Sequence, residues 1–285
     1  MVAPLRRVLV CPPRAAGWDG SAGAARWRDL GYLRPPDPEA ARSQHETLCR
    51  GLQRAGAEVS ALREADGLSL DAIYAHDASI VTDRGAIMLR MGKAARAAEP
   101  EAHAAFYRAA GVPLLGTIEA PGTIEGGDLL WIAPDTLLAG RGYRTSGAGI
   151  DRLRTLLAPL GVACVEAALP HGPGPTACLH LMSLISLLDE RTALVDLPWL
   201  SVPTVELLRG RGFDLVEIDP SERATLACNV LSLGEGRLLA LEENRATNRR
   251  LSDAGFDVRT FPGSEIALNG SGGPTCLTRP LLRAS

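Results

Sequence analysis

The sequence predicts an α/β fold in which strand–strand–helix–strand modules close into a ring. Segments beginning at Asp77, Asp128, His180, Asn229 and Cys276 share one pattern, a polar or reactive residue followed by an apolar run. Those starts are separated by 51, 52, 49 and 47 residues, and such regular self-similarity marks a repeat architecture. Each module is too small to bury a core alone, so its neighbours must complete it.

The elements follow in order. Four copies read as β-hairpins, because Asp83-Arg84-Gly85, Pro134-Asp135, Asp189-Glu190-Arg191 and Gly234-Glu235-Gly236 place turn chemistry between two apolar runs. The fifth copy, Cys276 to Leu282, is short, and the opening strand Arg7 to Cys11 would complete it. Between hairpins lie helical stretches over 38–55, 99–110, 147–160, 202–210 and 244–254. Gly161, Gly212 and Gly255 stop three of them ahead of a third strand. In a closed ring the residues opening each first strand converge on the axis, whereas in an open α/β sheet, the alternative, they would line an edge.

The chain has 285 residues, 46% hydrophobic and 22% charged, with a net charge of −3. That suits one catalytic domain over 1–285 and gives no basic run to follow a phosphate backbone. The apolar stretch before Pro12 and Pro13 is shorter than the roughly 7–15 residues of a secretory signal. A cytoplasmic protein without membrane or nucleic-acid partners is therefore expected, with self-association left open. Cys11, Cys49, Cys164, Cys178, Cys228 and Cys276 form no C-x-x-C pair and no zinc-spaced cluster. No metal is expected, and without G-x-G-x-x-G or a Walker loop no nucleotide cofactor is expected either.

Cys276 ends Asn269-Gly-Ser-Gly-Gly-Pro-Thr-Cys, a loop whose glycines free backbone N–H groups that could activate a thiolate. By residue type alone it would be a buried thiol; its repeat position and a histidine in another repeat favour a nucleophile. His180 is the corresponding proton carrier. Glu125-Gly-Gly-Asp128 brings two carboxylates together, one of which could orient His180. Asp77, after His76, could pair with a guanidinium, or merely end a strand. Arg90 and Arg144 could hold a substrate carboxylate. His45 and His103, on helices, and His171, in a Pro/Gly loop, read as surface residues. The irregular segment 14–36, with Trp18, Trp27, Tyr32, Gly17, Gly20 and Gly23, reads as a lid over the axial site.

In this combination the residues resemble the guanidino-modifying enzymes: dimethylarginine dimethylaminohydrolases, arginine deiminases and amidinotransferases. The resemblance rests on His76-Asp77, Glu125-Gly-Gly-Asp128, Tyr143-Arg-Thr145, His180-Leu181 and Gly272-Gly-Pro-Thr-Cys276, in that order over roughly residues 74–279. It implies a five-bladed α/β propeller of pseudo-fivefold ββαβ repeats. It also implies a small guanidino substrate, attack by Cys276 on the guanidinium carbon, and protonation of the departing nitrogen by His180. A covalent thiouronium would then be hydrolysed, with Glu125 assisting His180 and Asp77 and Asp128 holding the cation.

Three positions depart from the family pattern. Met182 stands where arginine deiminases carry an Asp, His76 where dimethylaminohydrolases usually carry a Glu, and Asn269 where a charged residue is often found. Losing carboxylates around the cation suggests an N-substituted guanidine, with Met182 and His76 lining its site. Amidino transfer to an amine acceptor is the nearest alternative. A non-catalytic propeller that binds a partner is the other, but it would not need Cys276, His180 and Glu125 together.

Overall fold

The structure is a computed structural model describing residues 2–20 and 25–284. Among these, fifteen strands form five sheets of three, the five-bladed α/β propeller that the family resemblance implies. The first blade joins both ends of the chain. β1 (Leu5–Val10) and β2 (Glu58–Ala61) run parallel across α1 (Pro38–Arg54), and β15 (Arg279–Arg283) pairs antiparallel with β1, completing the short fifth repeat.

Each other blade is an antiparallel hairpin, a helix, and a third strand parallel to the second. The second blade has β3 (Ser79–Thr82), β4 (Gly85–Met88), α2 (Glu99–Ala109) and β5 (Leu114–Thr117). The third has β6 (Leu129–Ala133), β7 (Thr136–Arg141), α3 (Gly147–Leu157) and β8 (Ala163–Ala168). The fourth has β9 (Ile185–Leu187), β10 (Thr192–Val195), α4 (Val202–Gly210) and β11 (Asp214–Glu217). The fifth has β12 (Leu231–Gly234), β13 (Arg237–Leu241), α5 (Arg245–Asp253) and β14 (Asp257–Phe261). A parallel pair cannot be joined by a tight turn, so every third strand needs its helical crossover.

Local chemistry sets these elements. The Asp37 carboxylate accepts from the N–H groups of Glu39 and Ala40 at 3.0 Å, capping α1, whose first residue is proline. Glu235 (φ 57°) and Gly236 (φ 71°) both turn left-handed between β12 and β13, the geometry of a two-residue hairpin. Middle strands such as β4 are buried along their whole length, which is why they read as unbroken apolar runs. The outer strands β2 and β11 are exposed at both ends.

Polar contacts between neighbouring blades close the ring. Gly126 N donates to Asp77 O at 2.9 Å and Leu181 N to Asp128 Oδ1 at 2.9 Å. Val230 N donates to Ser186 Oγ at 3.3 Å, Thr275 N to Asn229 Oδ1 at 2.9 Å, and His76 N to Cys276 O at 3.0 Å. These five seams join all five blades, and four of them run through residues that open the repeats.

His45 and His103 depart from their expected surface positions: they are 7% and 1% exposed. His45 shares the inner face of α1 with Ala41, Leu48 and Leu52. His103 Nδ1 lies 3.1 Å from Ser79 Oγ. Burial holds both rings neutral, lowering their pKa values to about 4 and about 3. No described helix is long and apolar enough to cross a membrane.

Candidate active site

Asp77 precedes β3, Asp128 ends a short 3₁₀ turn before β6, and His180 caps another before β9. Asn229 and Cys276 stand in the segments just ahead of β12 and β15. Each residue thus sits where its blade reaches the centre of the ring.

At that centre is a buried Glu125–His180 pair, with Nε2 2.8 Å from Oε2. Glu125 Oε1 accepts from Gly92 N (2.9 Å), Lys93 N (3.1 Å) and Arg144 Nη1 (3.2 Å). Burial alone would raise its pKa, but the hydrogen bond from His180 draws it down to about 2. Burial would likewise strip the proton from His180, yet the Cys178 sulfur, Asp128 and Asp77 hold its pKa well above the ordinary value. Both shifts favour the charged forms of the pair. Gly127 lets the ring approach the backbone closely, since a Cβ there would collide with His180 Nδ1.

Asp77 does not stand open for a substrate cation. Its Oδ2 accepts from Arg96 Nη1 at 2.6 Å and its Oδ1 from Gly127 N at 2.8 Å, and the arginine holds its pKa far below the usual range against burial. Arg96 is itself buried and forks onto Glu99, with Nε–Oε1 and Nη2–Oε2 both 2.8 Å. Sequence reasoning missed it, because Arg96 lies outside the repeated pattern and nothing local marks it as buried. It also missed Lys93, whose Nζ lies 2.6 Å from both Asp71 Oδ2 and Leu30 O. Being the only lysine of the chain was its one signal.

Cys276 is partly buried, and its Sγ accepts from Asn229 Nδ2 at 3.1 Å. Burial and the Asp77 charge push the thiol up to about 12, against the opposing pull of His180. A second sulfur is also near, Cys178 Sγ being 3.8 Å from His180 Nδ1 on an exposed residue.

Other expected site residues are placed elsewhere. Arg90 is exposed and donates to Gly122 O at 3.2 Å. His76 Nδ1 lies 2.8 Å from Thr278 O in a fully buried setting that lowers its pKa to about 3. Met182 is 3% exposed in an apolar cluster with Leu181, Leu184 and Ile185. Asp128 accepts from Thr145 Oγ1 at 2.6 Å and from Leu181 N, so it anchors the turn that carries His180; burial raises it to about 6. Arg144 remains at the cluster, bound to Glu125 with its side chain 13% exposed. His171 is exposed, as expected.

Within segment 14–36, Trp18, Leu30 and Tyr32 are buried in the cluster against which Cys276 packs, while Gly23 lies outside the described residues. Leu33 N and Arg34 N both donate to Asn269, at its O and Oδ1 (each 2.9 Å), so this segment is stitched to the cysteine loop. Ligand-type atoms of Asp77, Glu125 and His180 lie within 4.8 Å of one another, a spacing a metal ion could bridge. Arg96 and Arg144 already take the two carboxylates, so this donor set is matched to internal cations.

A model of the arginine deiminase family matches residues 69–197 and 197–283. The chain is 29% identical over 245 residues to the uncharacterized protein YkgA of Bacillus subtilis, covering 86% of this chain and 81% of that one. It is 30% identical over 187 residues to an N(G),N(G)-dimethylarginine dimethylaminohydrolase of Streptomyces coelicolor, covering 66% of each. The N-terminal domain of ArgZ, a cyanobacterial arginine dihydrolase solved with substrate bound, has the same fold. It aligns at a TM-score of 0.82 and 21% identity over 97% of this chain and 98% of that one.

Proposed function

The chain belongs to the arginine deiminase family, and from that premise we propose that it hydrolyses a guanidino compound using Cys276, His180 and Glu125. The observation that carries this reading is the buried Glu125–His180 pair, 2.8 Å apart, on the same ring of loops as the Cys276 sulfur. Its chemistry is nucleophilic catalysis with a charged acid already in place.

In the proposed cycle the Cys276 thiolate attacks the guanidinium carbon, forming a C–S bond. His180 passes its proton to the departing nitrogen as the C–N bond breaks, releasing ammonia or an amine. Water then attacks the thiouronium carbon while neutral His180 takes up its proton. The C–S bond breaks, the ureido product leaves, and thiolate and imidazolium are restored. Glu125 keeps the imidazole oriented and stabilises its charged form.

Charge explains how a thiol raised to about 12 becomes a nucleophile. Asp77, Glu125, Arg96, Arg144 and His180 form a buried ionic cluster beside the sulfur. A guanidinium bound against the sulfur places a positive charge next to it, which favours loss of the Cys276 proton to solvent. Asp77 therefore contributes to the field on the cation without being its free partner. With Met182 in the apolar cluster, its identity gives no ground for preferring N-substituted guanidines over arginine. Segment 14–36, tied to Asn269 and Lys93, would cover the site.

Incubating the protein with arginine, N-methylated arginines and shorter guanidines, without added amine, tests the proposal. A ureido product with ammonia or an amine is expected from at least one compound, detected by mass spectrometry. Product that appears only with an amine acceptor would assign amidino transfer. Inertness of the folded protein toward the whole panel would contradict both.

A further inference from the structure

Four of the five residues that open the repeats act as nucleophile, proton carrier, charge or anchor; Asn229 is the remaining one. It is 4% exposed, and its carboxamide spans the seam between two blades. Oδ1 accepts from Thr275 N at 2.9 Å while Nδ2 donates to Cys276 Sγ at 3.1 Å. The Thr275 N–H can only donate, so the amide oxygen must face it and the NH₂ group must face the sulfur.

The chain accepts unfavourable features to hold this arrangement. Leu226 adopts a left-handed conformation (φ 63°) at the turn where its carbonyl accepts from Asn229 N at 2.9 Å. A non-glycine residue is held there only when its surroundings over-determine it. On the other side, a Cβ at Gly273 would collide with the Asn229 side chain, so the cysteine loop is shaped around the carboxamide.

We infer that Asn229 is a catalytic donor to the Cys276 sulfur, favouring its thiolate both as nucleophile and as the group released when the C–S bond breaks. An N–H donor aimed at an atom that gains negative charge stabilises that state more than the neutral one. The other groups acting on this sulfur are Asp77 and Cys178, which disfavour the thiolate, and His180, which favours it; Tyr74 also faces Cys276. Nδ2 is the only hydrogen-bond donor to the sulfur among the described residues. This deepens the Cys276 reading and rests on it.

The test is alkylation of the intact protein by iodoacetamide over a range of alkaline pH, with modification at Cys276 quantified by peptide mass spectrometry. Asn229→Asp keeps the shape and the acceptor for Thr275 N–H, loses the donor and adds negative charge. On the rising alkaline limb it is expected to alkylate Cys276 about tenfold or more slowly than wild type at equal pH, a shift of about one pH unit. A smaller fall, of a few fold, is expected for Asn229→Ala, although that change opens space beside the sulfur. Wild-type rates in folded Asn229→Asp would overturn the inference; if that variant does not fold, wild-type or faster rates in Asn229→Ala would do so. The assay uses no guanidine, so a protein inert to the substrate panel would sink the hydrolase reading without deciding this one.

Discussion

Glu125→Gln is expected to lower kcat by about 10²–10⁴-fold with little change in fold, the range that a positioned general acid–base typically contributes. Glutamine has the same shape, but it cannot accept on both sides. Glu125 Oε1 takes two backbone N–H groups and Arg144, while Oε2 takes His180. An NH₂ group on either side therefore faces donors. His180 would lose the anionic acceptor of its Nε2, one of the carboxylates around it, and release its proton more readily. Steady-state kinetics should show the fall in kcat, with the alkaline edge of the kcat–pH profile moved to lower pH. An unchanged kcat and profile would remove Glu125 from the mechanism.

Arg96→Ala is expected to destabilise the protein by about 3–5 kcal/mol, the usual range when one partner of a buried ion pair is removed. The Arg96 side chain is 4% exposed, and those of Asp77 and Glu99 are 3% and 2% exposed, so water cannot take over the lost contacts. Urea denaturation of the variant and wild type measures the loss. Combining Arg96→Met with Asp77→Asn and Glu99→Gln should recover much of it, because no buried charge is then left unpaired. A single variant as stable as wild type would mean that these carboxylates have other compensation.

These two residues also show where the sequence was legible. Glu125 was found because the tetrapeptide Glu125-Gly-Gly-Asp128 stands directly before β6 and is one of the motifs that carry the family resemblance. The hairpin turns were read locally, since the residues at 83–85 and 234–236 carry their own conformational preferences. Arg96 lies in the connection between β4 and α2, outside the repeated pattern. Its burial depends on Asp77, which is distant in sequence, and no periodicity encodes that contact. His103 could have been read correctly: Tyr107 lies one turn on, and both face inward on α2. Arg90 and His76 were misplaced for a simpler reason. Both lie in connections, His76 before β3 and Arg90 after β4, where no strand or helix period fixes the direction of a side chain.

Two cysteines near one histidine leave a sharp question about the nucleophile. Cys178 Sγ lies 3.8 Å from His180 Nδ1, whereas the Cys276 sulfur is bound by Asn229. Acid-quenching the protein during turnover of an active guanidine, then mapping the covalent adduct by peptide mass spectrometry, distinguishes them directly. The expected result is an amidino-type adduct on the peptide containing Cys276, absent from Cys276→Ser, which should also lose turnover. An adduct on Cys178, or turnover that survives Cys276→Ser, would contradict the account.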